Sequence, residues 1–304
     1  MKGSYPAISL ERFCRLLGVT RQAMYQHGWH TESMTVEAEL VIQQVVDIRN
    51  RHPVLGTRKL YAVLQTFLQE HGIKMGRDKL FDLLAAYKLL VRRRRRRIST
   101  TQSYHRFHKY PNLIRDMIPT AINQLWVCDI TYYKVMGKFV YISFVTDAYS
   151  HKILGYHLAQ TLETIHILAA LQMAINSIDG LINHTIIHHS DRGVQYCSDE
   201  YVKLLEKTGI SISMTENGDP LENAIAERVN GIMKEEYLHC YQYNAVKQIE
   251  QKLKEAVSLY NSERPHLSCS MLTPDLVHAN NLSVERQWKS YYRKKEVAAT
   301  EKRK

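Results

Sequence analysis

The sequence predicts an α/β protein, a mixed five-stranded sheet with helices on its faces, preceded by an all-α helix-turn-helix region. Three observations predict it. Apolar residues keep helical spacing through the first part of the chain, β-branched and aromatic runs begin after Pro119, and helical and strand patterns alternate from Thr161 onward.

Residues 8–27 read as helix, turn, helix: Ser9 caps the first helix, Phe13, Leu16 and Leu17 form its apolar face, Gly18 turns the chain, and Thr20 caps the second. The plan recurs after Pro53. Leu60, Val63, Leu64, Phe67 and Leu68 follow helical spacing, Gly72 breaks it, and Leu80, Leu83, Leu84 and Tyr87 resume it. Arg77 and Lys79 fall near the start of that second helix, where a recognition helix presents side chains to a major groove. Next comes an unbroken run of six arginines, Arg92, Arg93, Arg94, Arg95, Arg96 and Arg97. Such blocks are usually solvated, but this one links the helical region to the domain that carries the acidic residues and is placed to clamp a phosphate backbone. Residues 99–120 are polar and read as a linker. His105-x-x-His108 has no cysteine pair beside it, so it gives no zinc site.

Leu125–Tyr133, Phe139–Thr146 and Ile153–Leu158 read as three sequential antiparallel strands, separated by Gly137-Lys138 and by Ser150-His151. A helix over Thr161–Ile178, a strand over Thr185–His188, a helix over Tyr201–Lys207, a strand over Ile210–Met214 and a long helix over Leu221–Leu238 complete the pattern. A meander and then this alternation match the ribonuclease-H-like architecture, in which the first and fourth strands are neighbours. The expected organisation is an N-terminal helix-turn-helix at 1–48, a second such region at 49–98 ending in the arginine run, a linker at 99–120, the catalytic core at 121–280 and a basic tail at 281–304. Val246–Asn261 reads as a charged helix.

Composition narrows the function. A 304-residue chain that is 45% hydrophobic is too apolar for a disordered protein. Residues 1–120 carry 21 Lys+Arg against 9 Asp+Glu, or +12, whereas residues 121–304 carry 20 against 21, or −1. This asymmetry implies a polyanion-binding region joined to a nearly neutral domain. The five cysteines include no Cys-x-x-Cys pair, which argues against a disulfide framework or a zinc ribbon. With no long apolar run and no apolar leader, the expectation is a soluble protein of the bacterial cytoplasm, associated with the nucleoid and not with a membrane.

Three acidic residues resist explanation as surface charge: Asp129 in Trp126-Val-Cys-Asp-Ile-Thr-Tyr132, Asp191 in His189-Ser-Asp-Arg-Gly193, and Glu227 in Asn223-Ala-Ile-Ala-Glu227. A carboxylate within an apolar strand is costly unless a cation meets it. Adjacent strand ends bring Asp129 and Asp191 together, and the long helix delivers Glu227. Oxygen ligands of this kind suit two Mg²⁺ ions, with Mn²⁺ able to substitute, in a phosphoryl-transfer site. On a helical wheel Asn223, Glu227, Asn230 and Lys234 share one face, opposite Leu221, Ile225, Val229 and Ile232. Asn223, Asn230 and Lys234 are thereby candidate DNA contacts. His188 and His189 are candidates for orienting a substrate or ligand, and Cys128 is expected to point into the core.

These segments, together with Gln195-Tyr196 after Gly193, a late Tyr260-Asn-x-x-Arg264-Pro265-His266 and Thr273-Pro274, resemble the DDE transposases of the IS-three insertion-sequence family, within the retroviral-integrase superfamily. The resemblance covers roughly residues 50–280. It implies a magnesium-dependent transposase that cleaves 3′ ends and transfers strands, acting as a homo-oligomer on double-stranded DNA at terminal inverted repeats and target. It maps metal-ligand roles onto Asp129, Asp191 and Glu227, and a terminal-DNA contact onto Lys234. Many relatives carry Asp where this chain has Glu222, which preserves charge. Relatives also often work fused to an upstream frame, and no sustained heptad is present here, so an upstream-frame partner protein is a further expectation. The alternatives are a catalytically silent DNA-binding repressor or domesticated remnant, and a ribonuclease or resolvase on the same fold.

Overall fold

The computed structural model describes residues 9–91, 107–115, 117–178, 185–216 and 223–285, apart from the side chains of residues 10, 13 and 26–35. It divides into two compact units: the chain up to Arg51 with Gly56–Val91, and His52–Leu55 with the chain after Val91.

The first unit is helical, with α1 (Leu10–Leu16), α2 (Arg21–Arg51), α3 (Thr57–Glu70) and α4 (Arg77–Ala86). Ser9 Oγ accepts from Arg12 N and Thr20 Oγ1 from Ala23 N, so both sequence-read caps form. Gly18 and Gly72 take left-handed φ of 67° and 64°, the conformation each turn needs. Three expectations are corrected. Leu16 and Leu17 are exposed, the Phe13 side chain lies outside the described residues, and among the described side chains of α1 Cys14 is buried, its sulfur facing Met24. Tyr87, expected on the apolar face of α4, is exposed as the residue that follows that helix. α2 runs unbroken through position 48, where a boundary was expected, because nothing between Val36 and Arg51 breaks a helix. In α3 and α4 the anticipated Leu60, Leu64, Leu68, Leu80 and Leu84 are buried.

The second unit is built on β1 (Leu125–Val135), β2 (Lys138–Asp147), β3 (Ile153–Ala159), β4 (Ile187–Ser190) and β5 (Ser211–Met214), in the spatial order β3-β2-β1-β4-β5. β1, β2 and β3 form the antiparallel meander, and β4 and β5 join in parallel. This is the ribonuclease-H-like order. Side-chain alternation along β1 assigns the two faces. Trp126 and Cys128 pack with α5 (Thr164–Asn176) and α6 (Asp199–Lys207), through Ala170, Leu171, Ala174, Tyr201 and Leu205. Tyr133 and Val135 pack on the other side with α7 (Ala224–Ile232) and α8 (Val246–Ser262). On β3 Gly155 faces α5 so closely that a Cβ there would stand 2.0 Å from the Ala170 carbonyl oxygen. Only glycine admits that approach.

The long helix departs from expectation. After Ile232 it widens into a π-helical stretch, Met233–Leu238, in which His239 N donates to Lys234 O at 2.8 Å. The α-helical wheel therefore holds only up to Ile232. The late Tyr-Asn-x-x-Arg-Pro-His segment stitches this stretch to the sheet. Asn261 Nδ2 donates to Ile153 O, and its Oδ1 accepts from Ile153 N, while the Tyr260 hydroxyl donates to His151 O. Arg264 is fully buried, gripping both carboxylate oxygens of Glu236 and approaching His266 Nε2. Thr273 then caps α9 (Pro274–Asn280), which has proline at its first position. Among the described residues, no helix is long and apolar enough to cross a membrane.

Candidate active site

The parallel register of β1 and β4 builds the site. Leu125 pairs with Ile187, Trp126 with His188 and Val127 with His189. Continuing the same offset puts Asp129 level with Asp191, just past the end of β4. Strand alternation turns Asp129 away from Cys128, which is buried in the α5/α6 core as expected, and towards α7. There Asn230 Nδ2 donates to Asp129 Oδ2 at 2.7 Å. Asp191 sits in a tight turn in which its Oδ1 accepts from Gly193 N at 3.0 Å. A Cβ at Gly193 would stand 3.0 Å from that same oxygen, which accounts for the glycine. Glu227, in the first turn of α7, is exposed.

Electrostatics binds the three together. Burial first, and then the charges of Asp191 and Glu227, push the Asp129 carboxyl up from 3.8 to about 7. Hydrogen bonds from the Ile130 backbone and from Asn230 oppose the rise. Asp129, with Asp191 and Glu227 both within Coulombic reach of it, is part of an oxygen donor set suited to a hard divalent cation. Among the described residues, no group of three or more His, Cys, Asp or Glu side chains is gathered closely enough to hold a metal ion. The acids share a field without forming a closed cage.

The other candidates separate. Asn223 and Asn230, expected on an exposed face to contact DNA, are buried at 7% and 5% exposure. Asn223 Nδ2 donates to Cys128 O at 2.9 Å, so the two amides fasten α7 to β1 at Cys128 and at Asp129. The wheel missed this because the narrow, polar side of α7 that carries them packs on the strand. His188 and His189, expected to orient substrate, are buried in the sheet. His188 Nε2 meets the Tyr201 hydroxyl at 2.9 Å, and burial, with His189 beside it, lowers its pKa to about 3. His189 Nδ1 meets Ser213 Oγ at 2.8 Å. Neither reaches the open side of the site. The Lys234 ammonium lies 5.6 Å from the centroid of the Tyr132 ring. Arg77 and Lys79 are exposed on the first turn of α4, Arg77 paired with Asp78. Arg92 to Arg97 lie outside the described residues. The partner of Asp129 is the main feature that sequence reasoning misses, although Asn230 stands three residues beyond Glu227, one helical turn on.

Comparison with known proteins gives the family. Two integrase core domain families match, at residues 119–220 and 208–274. The 31 kDa protein of insertion element IS600 from Shigella sonnei is 32% identical over 86% of this chain and 95% of its own. The transposase for insertion sequence element IS629, also from Shigella sonnei, is 32% identical over 73% of this chain and 72% of its own. Among solved structures, the HTLV-2 integrase catalytic core domain in complex with magnesium is 20% identical with a TM-score of 0.42, covering 51% of this chain and 96% of that one. The fold, the family matches and these relatives define a polynucleotide transferase of the DDE class. This chain belongs to the insertion-sequence transposases, within the retroviral-integrase superfamily.

Proposed function

We propose that Asp129, Asp191 and Glu227 are the metal ligands of this transposase, and that they serve 3′-end cleavage and strand transfer at the ends of its element. The observation that carries the reading is the register that levels Asp129 with Asp191 beside α7, where Asn230 donates to Asp129 Oδ2, and burial and then the charges of Asp191 and Glu227 raise the Asp129 carboxyl to about 7. Two divalent ions, Mg²⁺ or Mn²⁺, would activate the attacking hydroxyl and stabilise the leaving oxygen of an in-line displacement.

The chain's own residues supply position. Asn230 and Asn223 lock α7 to β1, so the strand and helix that carry Asp129 and Glu227 move as one body. The Gly193 amide fixes the rotamer of Asp191. Lys234, in the π-helical stretch after α7, is the phosphate contact nearest in sequence to the triad. Arg77 and Lys79 on α4, together with Arg92–Arg97, are the proposed contacts to terminal repeats and target DNA. Assembly as a homo-oligomer on that DNA, alone or with an upstream-frame partner, belongs to the same reading.

The test is cleavage of a DNA duplex carrying the element's own ends in Mg²⁺. Asp129→Asn and Glu227→Gln should each abolish the product while leaving duplex binding within about twofold. Sequence-specific binding by the wild type, with no product in Mg²⁺ or Mn²⁺, would favour the repressor instead.

A further inference from the structure

The hairpin of β1 and β2 carries a surface that the triad does not use. β4 pairs only with Leu125–Val127, whereas β1 and β2 remain paired out to Val135↔Lys138. The outer hairpin closes on Met136-Gly137, both at positive φ (48° and 82°), the two-residue turn that matches strand twist. On its α7/α8 side Tyr133, Val135 and Val140 are buried. The opposite side carries Tyr132, Lys134, Phe139 and Tyr141. Tyr132 and Phe139 are 46% and 49% exposed, unusual for two aromatic rings side by side on an open sheet face.

Their arrangement is specific. The Tyr132 and Phe139 rings meet edge to face at 5.6 Å. Lys134 Nζ lies 5.9 Å from the Phe139 centroid, and Lys234 Nζ lies 5.6 Å from that of Tyr132. Lys234 comes from the stretch that packs on the other side of the sheet, so it spans the edge of β1 that β4 leaves uncovered.

We infer that this hairpin face is a stacking platform for an unpaired nucleotide at a DNA end. Tyr132 and Phe139 take the base, while Lys134 and Lys234 take the neighbouring phosphates. The inference rests on the transposase reading and adds a second contact to it. Charge selects the occupant, because aromatic faces flanked by ammonium groups suit a base attached to phosphate. Position selects its state. Tyr132 lies three residues beyond Asp129 on β1, roughly 10 Å along the strand and on the opposite face, so a strand end leaving the triad reaches it round the edge that Lys234 spans. A base inside an intact duplex keeps its faces covered by its neighbours, so only a frayed or tailed end can use the rings.

The experiment uses the full chain in EDTA, where no cleavage occurs, with a duplex bearing a short single-stranded 3′ tail that contains 2-aminopurine. Stacking quenches that fluorophore. The wild type should quench it and bind the tailed duplex roughly tenfold or more tightly than the blunt one. Tyr132→Ala and Phe139→Ala should lose both effects while keeping blunt-duplex affinity within about twofold, and Tyr132→Trp should retain them. Undiminished quenching in both alanine variants, or no quenching by a wild type that binds the duplex, overturns the platform. Neither result bears on the triad, which the Asp129→Asn cleavage assay reads separately.

Discussion

Asn230 Nδ2 stands 2.7 Å from Asp129 Oδ2, a hydrogen bond that joins α7 to the centre of β1. It is among the influences that hold the Asp129 carboxyl down against burial and the neighbouring acids. Removing it has a definite sign. In Asn230→Ala the Asp129 pKa should rise above about 7, so the acidic limb of the pH–rate profile for DNA cleavage should move to higher pH. A limb that stays in place or moves to lower pH would show that the amide does not act on this carboxyl.

The same carboxyl predicts a pH-dependent stability. Its folded pKa of about 7 lies above the ordinary 3.8. A raised acid costs nothing below the unfolded value, and its cost grows as pH climbs from there to the folded value and is complete above it. Without divalent metal, Asp129→Asn should therefore be more stable than the wild type at pH 8, on the order of 2–4 kcal/mol. The difference should fade as pH drops from about 7 towards 4. Urea unfolding across that range in EDTA measures it, and a difference independent of pH would contradict the assignment.

Gly155 predicts a packing failure. A Cβ there would stand 2.0 Å from Ala170 O and 2.9 Å from Ala174 N, both backbone atoms of α5. Since the helix itself must shift, Gly155→Ala should cost about 1–3 kcal/mol or more. A thermal unfolding midpoint equal to the wild type's would show that β3 and α5 separate freely.

Arg264 and Glu236 predict strong coupling. The guanidinium is fully buried and makes two hydrogen bonds to one carboxylate, at 2.8 and 2.7 Å. Arg264→Met strands the Glu236 charge and should cost about 3–5 kcal/mol. Adding Glu236→Gln to it should restore part of the loss. A double-mutant cycle by urea unfolding in which the two changes simply add would refute the pairing.

Most of the sheet could be read from the sequence because its signal is local. The β-branched and aromatic runs beginning at Leu125, Phe139 and Ile153 start within a residue of the observed strands, and the register that levels Asp129 with Asp191 comes from strand order. What escaped depends on partners distant in sequence. Nothing in Met233-Lys-Glu-Glu-Tyr-Leu238 separates a π-helical stretch from an α-helix, and its widening brings Glu236 into register with Arg264, 28 residues away. Asn223 and Asn230 resemble DNA contacts because polar residues on a helix are usually solvated. Backbone Cys128 O and the Asp129 carboxylate, on another element, draw them inward instead. The histidines escape similarly, because Tyr201 and Ser213, distant in sequence, each meet one ring nitrogen inside the core.

The central claim is that the three carboxylates bind the catalytic ions directly, and a change of metal preference tests it. Glu227 is exposed on α7, so Glu227→Cys exchanges an oxygen ligand for a softer sulfur with little strain on the fold. Strand transfer by this variant on the element's ends should be lost in Mg²⁺ and partly recovered in Mn²⁺, while the wild type works in both. Wild-type activity of Glu227→Cys in Mg²⁺ would contradict the account.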